Sequence, residues 1–172
     1  GVALDAVSTW WQCGPSGVPV AALVIAAAEQ LGVPASKLRG GFENDPFSEL
    51  VVAGSLKQSL KLRFDHMAAL VSYAAKNAPG MRTIAVKGDV YHNAGATATQ
   101  ELACIVATLV AYIEEMKARG ITPETSLAHT RIRLAVGSDY FMEIAKIRAA
   151  RWLWSKVAAA YGVENAPVHI HA

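Results

Sequence analysis

The sequence predicts an α/β fold in which parallel strands alternate with helices, and three observations predict it. Short apolar runs alternate with helical patterns along the whole 172-residue chain. Every connection between successive runs is long enough for the helical crossover that parallel pairing requires. Hydrophobic residues make up 53% and charged residues 17% of the chain, which suits a sheet covered by helices. The length fits a single domain.

The first half of the chain has two predicted strands with helices after each. Gly32 and then Pro34 end an apolar helical run, and Asp45 with Pro46 offers an N-cap and a first-turn proline to the next helix. The predicted segments are strand Val2–Ala6, which begins directly after Gly1, helix Val18–Leu31, strand Leu38–Glu43 and helix Leu62–Asn77.

The second half repeats this alternation. Thr97 and Gln100 form a capping-box pattern at the start of a long helix, which Gly120 ends. In the last helix, the spacing of the apolar residues predicts an inner face that includes Tyr140 and Ile144. The predicted segments are strand Thr83–Gly88, helix Thr97–Arg119, a short helix from Thr122, strand Ile132–Val136, a helix from Ser138 and strand Val168–His171.

Composition excludes several classes of function. A formal charge of +2 that is dispersed along the chain does not favour nucleic acid as a partner. No apolar run reaches the roughly 20 residues needed to cross a bilayer. Cys13 and Cys104 are typical of reduced, lone cysteines and predict a cytoplasmic protein. Glycine-rich nucleotide-binding loops are absent from the sequence.

Periodicity alone leaves two architectures open, an open doubly wound sheet and part of a (β/α)8 barrel. In both, chemistry collects at the carboxyl ends of the strands. Because predicted strands lie at both ends of the chain, we expect it to be a piece of a larger protein. The polar residues at the predicted strand ends are Asp5, Glu43, Asn44, Asp45, Lys87, Asp89, Tyr91, His92, Asn93, Ser138, Asp139, His169 and His171.

Two runs carry the most specific information. Tyr91-His92 is followed by one residue and then by Ala-Gly-Ala-Thr-Ala-x-x-Glu-Leu-Ala, and Phe141–Trp154 forms a second motif downstream. Both resemble the methylmalonyl-CoA mutase family. The resemblance implies a partial (β/α)8 TIM-type barrel with about five parallel strands, corresponding roughly to barrel strands two to six and to residues 1–172. It also implies a part in the adenosylcobalamin-dependent isomerisation of methylmalonyl-CoA and succinyl-CoA.

The resemblance gives Tyr91 and His92 as candidate catalytic residues, because an adjacent Tyr-His pair serves the substrate in catalytic members. Counted without gaps from Gly88 to Ala94, however, the family's pair falls two residues earlier. Along a strand, two residues move a side chain by about 6–7 Å. We therefore expect the pair to be displaced from the position that catalysis needs.

The second strand supports the same expectation. The family's catalytic members resemble Thr-Ile-Gln-Asn-Asp here, and this chain has Glu43 in place of the glutamine, followed by Asn44. Ala53 occupies the position of a substrate-binding arginine. The pattern resembles the small, non-catalytic subunit of the heterodimeric mutase, so we predict an auxiliary barrel that lacks the catalytic residues.

Glu43, Asn44, Asp89, Arg131 and His171 are the candidate substrate-binding residues. Arg131 matches an arginine that contacts coenzyme A in the family, and His171 matches a histidine of a Thr-His-Ser-Gln motif. The alternative for Arg131 and Arg133 is an internal ion pair with Glu43 or Asp89, which fills the barrel.

The resemblance also makes predictions about cofactor and partners. The family binds cobalamin through an Asp-x-His-x-x-Gly loop on a separate domain, and the sequence contains no such run. We therefore expect adenosylcobalamin in the parent complex and none on this chain alone. The expected partner is the catalytic large subunit or the rest of the barrel. Binding of acyl-CoA stays possible. Strand edges without a neighbour predict that the chain associates with itself.

Two other functions remain as alternatives. One is an active acyl-CoA mutase with a rearranged site formed by Tyr91, His92 and Arg131. The other is a metal-dependent hydrolase, because His169 and His171 share one face of a strand and a carboxylate from another strand could add a ligand. The favoured prediction, an auxiliary barrel of the mutase family, includes no metal site. Trp10-Trp11 is expected in a loop, as a lid or a partner contact.

Overall fold

The computed structural model of the chain describes residues 2–172 and confirms the predicted α/β partial barrel. Five parallel strands form one sheet that curls into a half-barrel, with helices between the strands. Their order across the sheet is the same as their order along the chain. The strands are β1 Thr9–Trp11, β2 Gly40–Asn44, β3 Met81–Lys87, β4 Thr130–Arg133 and β5 Ile170–His171.

The helices follow the predicted alternation. Asp45 caps the second helix by accepting a hydrogen bond from the Ser48 N–H, and Thr97 and Gln100 make both bonds of the predicted capping box. In residues 2–172, no helix is long and apolar enough to span a membrane. The helices are α1 Gly17–Gln30, α2 Pro46–Ala53, α3 Leu60–Asn77, α4 Asp89–Asn93, α5 Ala98–Lys117, α6 Pro123–Ala128 and α7 Tyr140–Ala160, with 3-10 turns at Gly14–Ser16 and Ala35–Lys37.

The prediction for the first strand is wrong. Leu4–Ala6 forms a turn, and the strand begins at Thr9, so Trp10-Trp11 lies in β1 and not in a loop. Gly1 lies outside the described residues. Aromatic residues favour strands more strongly than the alanine-containing run before them, and β1 gains a neighbour by pairing with β2.

The bounds of the fourth strand and the inner face of the last helix also differ from prediction. The fourth strand spans Thr130–Arg133, so most of the predicted Ile132–Val136 strand is irregular. In α7, Tyr140 is 70% exposed and Ile144 40% exposed, so neither lies on the inner face. The buried face of α7 begins instead with polar residues and consists of Glu143, Lys146, Ala150, Trp154 and Ala158.

The main apolar core lies between the sheet and helices α3, α5 and α7. Ile84 and Val86 from β3, with Ile132 and Leu134 near β4, pack into this core. Side chains alternate between the two faces of a strand, so Arg131 and Arg133 project to the opposite, concave face. The fold thus separates an apolar outer face from a charged inner face.

Two adjacent glycines let β2 approach its two neighbours, β1 and β3, closely. A Cβ atom on Gly40 would overlap the carbonyl oxygen of Thr9, and one on Gly41 would overlap the carbonyl oxygen of Arg82. Gly40 also has a φ of +118°, which glycine adopts easily. The register of β2 against β3 shifts beyond Gly41, which sets how the strand ends meet.

Candidate functional site at the carboxyl ends of the strands

Glu43 is the centre of an ion cluster at the carboxyl ends of β2, β3 and β4. Its carboxylate lies 3.3 Å from Lys87 Nζ, 3.3 Å from Arg131 Nη1 and 3.1 Å from Arg133 Nη1. Arg133 also donates to Asp89 Oδ2 at 2.6 Å. We call these five residues the Glu43 cluster. The internal ion pair considered from the sequence is therefore present.

Burial makes this cluster electrostatically strong. The side chain of Glu43 is 5% exposed and that of Arg131 is 8% exposed. Burial lowers the pKa of Arg131, Glu43 counteracts this and Arg133 adds to it. Burial also acts to lower the pKa of Arg133, but the hydrogen bonds that it donates to Asp89 and Glu43 raise the pKa above its ordinary value. The carboxylates thus hold the cations in place.

Trp10 belongs to the same site. The guanidinium carbon of Arg131 lies 3.6 Å from the centroid of the Trp10 ring, which is the geometry of a cation–π contact. Trp10 was expected in a loop, as a lid or a partner contact. It lies instead on strand β1, where its ring covers one face of Arg131.

A polar cavity of about 350 Å³ lies beside the Glu43 cluster. The carboxylates on its wall outnumber the cations, which does not favour an anionic ligand. The cavity is lined by Gln12, Gly14, Glu43, Asp45, Ser48, Glu49, Val52, Lys87, Val90 and Arg133.

Tyr91 and His92 do not lie on a strand. β3 ends at Lys87, and both residues lie in the short helix α4. The displacement of 6–7 Å expected for a strand therefore does not apply, because consecutive residues of a helix point about 100° apart. The predicted location of this pair at a strand end is therefore wrong, since both residues lie in a helix. Whether the pair is catalytic stays a prediction.

The two side chains of this pair have different surroundings. Tyr91 lines a surface pocket with Gln100 and Cys104. Burial raises the pKa of Tyr91, although a hydrogen bond with Thr108 acts in the opposite direction. The Nδ1 atom of His92 lies instead 3.9 Å from Glu101 Oε2.

Sequence reasoning missed a second buried ion cluster, formed by Glu101, Glu143 and Lys146. Lys146 Nζ lies 2.9 Å from Glu101 Oε2 and 2.7 Å from Glu143 Oε2, and the side chains of Lys146 and Glu101 are 0% exposed. Glu101 Oε1 also accepts a hydrogen bond from the Ala135 N–H. These bonds join α5, α7 and the segment after β4. All three residues lie in the two family-like motifs, which was the signal available in the sequence.

The remaining candidates lie outside the Glu43 cluster. Asn44 accepts a hydrogen bond from Arg63 Nη2 at 3.2 Å, so its side chain faces α3 and not the barrel interior. His171 is exposed on β5, opposite Arg133 in the register. Within residues 2–172, no group of three histidine, cysteine or acidic side chains is placed to hold a metal, so His169 and His171 gain no third ligand.

His129 gives a prediction on pH dependence. Its Nδ1 lies 2.7 Å from the carbonyl oxygen of Met81, and burial, with a smaller contribution from Arg82, lowers its pKa below 6.5. The pKa of His169 is lowered too, first by burial. The unfolded chain therefore binds protons more readily, so the free energy of unfolding should decrease as the pH falls below about 6.5. Urea unfolding at a series of pH values measures this, and His129→Gln should reduce the dependence. If the free energy of unfolding depends on pH in His129→Gln as it does in the unsubstituted chain, the prediction for His129 is contradicted.

A half-barrel of parallel strands with charged side chains at the carboxyl ends defines the class of (β/α)-barrel proteins. A family model described as methylmalonyl-CoA mutase matches residues 1–172. The chain belongs to the methylmalonyl-CoA mutase family.

Relatives include both kinds of subunit. The chain is 32% identical over 166 residues to the methylmalonyl-CoA mutase large subunit of Streptomyces virginiae, covering 96% of this chain and 23% of that protein. It is 34% identical over 166 residues to the small subunit from the same organism, covering 96% and 26%. The small subunit of Porphyromonas gingivalis is 33% identical over 151 residues, covering 86% and 24%. The chain thus spans about a quarter of the length of these relatives.

Proposed function

We propose that this chain is a barrel segment of a methylmalonyl-CoA mutase and that it acts there as structure and subunit interface, as the auxiliary small subunit would. It corresponds roughly to the second to sixth barrel strands and forms one domain. Two free cysteines suit the reducing cytoplasm. The catalytic large subunit, or the rest of the barrel, is the partner.

The Glu43 cluster carries this proposal. A site that binds an acyl-CoA needs cations free to meet carboxylate and phosphate groups. Here the cations at the strand ends contact Glu43 or Asp89, and Trp10 covers Arg131. Charges compensated in this way fill the barrel opening and stabilise it, and they leave little attraction for an anionic substrate.

Neither His92 nor His129 fits as a ligand of adenosylcobalamin. A histidine that binds cobalt needs an accessible ring nitrogen and an oriented partner on the other nitrogen. His129 is buried against Met81, and the Nδ1 atom of His92 is buried without a hydrogen-bond partner. The cofactor is therefore proposed only for the parent complex.

Substitution of the candidate pair in the parent protein tests the proposal. We expect Tyr91→Phe and His92→Ala to leave mutase turnover within about twofold, because neither group acts on substrate. A group used in acid–base catalysis would cost about 10²–10⁴-fold. Tyr73→Phe, on the partly exposed face of α3, is the matched control. The 172-residue chain alone, supplied with cofactor and methylmalonyl-CoA, should form no succinyl-CoA.

The alternative of an active, rearranged site predicts opposite results. In that case Tyr91→Phe would reduce turnover about 100-fold or more without unfolding the protein. Methylmalonyl-CoA would also raise the melting temperature of the chain, and Arg131→Gln would abolish that shift. Either result would overturn the auxiliary role.

A further inference from the structure

A cavity of about 360 Å³ lies between helices α1 and α3, on the outer side of the sheet. Packed helices normally interdigitate and leave few voids larger than a water molecule. Here the facing positions are alanines, namely Ala21, Ala22 and Ala26 on α1 and Ala69 on α3, and these side chains are too small to fill the gap. An apolar cavity of about 150 Å³ already binds benzene, so this cavity has room for a small ligand.

The cavity narrows toward strand β3 and ends at Thr83. Its inner end has a volume of only about 10 Å³, which is enough for one hydroxyl group or one water molecule. The inner end and the wider part share four wall residues, Ala21, Ile25, Leu70 and Tyr73. Thr83 is 2% exposed, and its Oγ1 atom is buried without a hydrogen-bond partner in the described part of the chain. A buried hydroxyl without a partner is costly, so this position favours a polar group that enters through the cavity.

A β-bulge turns Thr83 toward this cavity. The N–H groups of Thr83 and Ile84 both donate to the carbonyl oxygen of His129, at 3.0 Å each, so two residues of β3 lie opposite one residue of the neighbouring chain segment. Successive side chains of a strand normally point to opposite faces. Here both face the helices, because Thr83 lines the cavity and Ile84 packs in the main core. The bulge thus places a hydroxyl group in a wall that otherwise consists of apolar and aromatic side chains.

We propose that this cavity binds a small, uncharged and mainly apolar molecule with one hydroxyl group, which places the hydroxyl at Thr83 and the apolar body between α1 and α3. The threonine hydroxyl can both donate and accept a hydrogen bond. Among the described residues that line the cavity, only Glu29 is charged, and its carboxylate disfavours an anionic ligand such as a fatty acid. The cavity lies outside the sheet and not at the strand ends, so the inference does not depend on whether the chain catalyses a reaction.

The two probes are p-cresol and p-xylene, which differ only in that a hydroxyl group replaces a methyl group. Their binding to the 172-residue chain is measured by isothermal titration calorimetry, and shifts of the amide NMR signals locate the site. Thr83→Val removes the hydroxyl and keeps the shape of the side chain. Ala26→Phe places a large ring in the cavity, and Ala27→Phe makes the same change at the adjacent exposed position, which does not line it. Circular dichroism checks that each variant is folded, and Thr83→Val tests the proposal without Ala26→Phe.

We expect p-cresol to bind with a dissociation constant below about 1 mM, a value within reach of a molecule of this size. Thr83→Val should weaken the binding of p-cresol about tenfold, because the buried hydroxyl of the ligand then has no partner, and should change that of p-xylene less than about twofold. Ala26→Phe should abolish the binding of both probes, and Ala27→Phe should preserve it. No binding of p-cresol, an equal effect of Thr83→Val on the two probes, or equal effects of Ala26→Phe and Ala27→Phe would overturn the proposal.

Discussion

Replacing Lys146 by methionine is expected to destabilise the fold by about 3–5 kcal/mol, the cost of leaving buried charges without their partner. Lys146 is the shared cation between Glu101 on α5 and Glu143 on α7. Burial acts to lower the pKa of Lys146, but the carboxylates of Glu143 and Glu101, which accept from its ammonium group, raise the pKa above its ordinary value. The amine is therefore charged, and its loss leaves two carboxylates facing each other.

Urea unfolding measures this loss, and Lys156→Met on the exposed side of α7 is the matched control. The control should cost less than about 0.5 kcal/mol, as surface substitutions usually do. Combining Lys146→Met with Glu101→Gln should cost less than the sum of the two single changes, because the residues form one network. If Lys146→Met lowers the free energy of unfolding by less than about 1 kcal/mol, Lys146 does not hold the two glutamates together as inferred.

The second large effect is expected at Glu43. Glu43→Gln should destabilise the chain by about 3 kcal/mol, because it leaves three cations close together without their shared carboxylate. Lys87 and Arg133 are partly exposed, so added salt should recover part of the loss by screening their repulsion.

Urea unfolding at low and high salt tests this second expectation. Glu124→Gln, an exposed glutamate in the first turn of α6, is the control for the change of charge. Glu124→Gln should change the free energy of unfolding only slightly, because Glu124 does not belong to the Glu43 cluster. If Glu43→Gln is no more destabilising than Glu124→Gln, the cluster contributes nothing to stability.

Much of the fold could be predicted because hydrophobic periodicity and caps are local signals. The strand over Thr83–Gly88 and the capping box at Thr97 are both present in the structure. The first strand could not be placed, because a short apolar run does not show whether a neighbouring strand is available. In the structure that neighbour is β2, and the absence of a side chain at Gly40 permits the close approach of β1.

The candidate site was predictable only in part. The alternation of Arg131 and Arg133 with apolar residues placed both on one face, and the internal pairing with Glu43 followed from charge. The helix that contains Tyr91 and His92 was not predicted, because five residues give almost no periodic signal. The burial of Lys146 was not predicted either, since charged residues are normally exposed and its carboxylate partners come from distant parts of the sequence.

The strand order has a consequence for synthesis on the ribosome. Because each strand lies beside the one made just before it, the nascent chain can add β2 to β1, then β3 to β2, without waiting for distant segments. Such vectorial growth keeps each loop closure short and hence entropically cheap. It also leaves the newest edge open at every stage, so the emerging polypeptide always presents the surface that the next segment must meet.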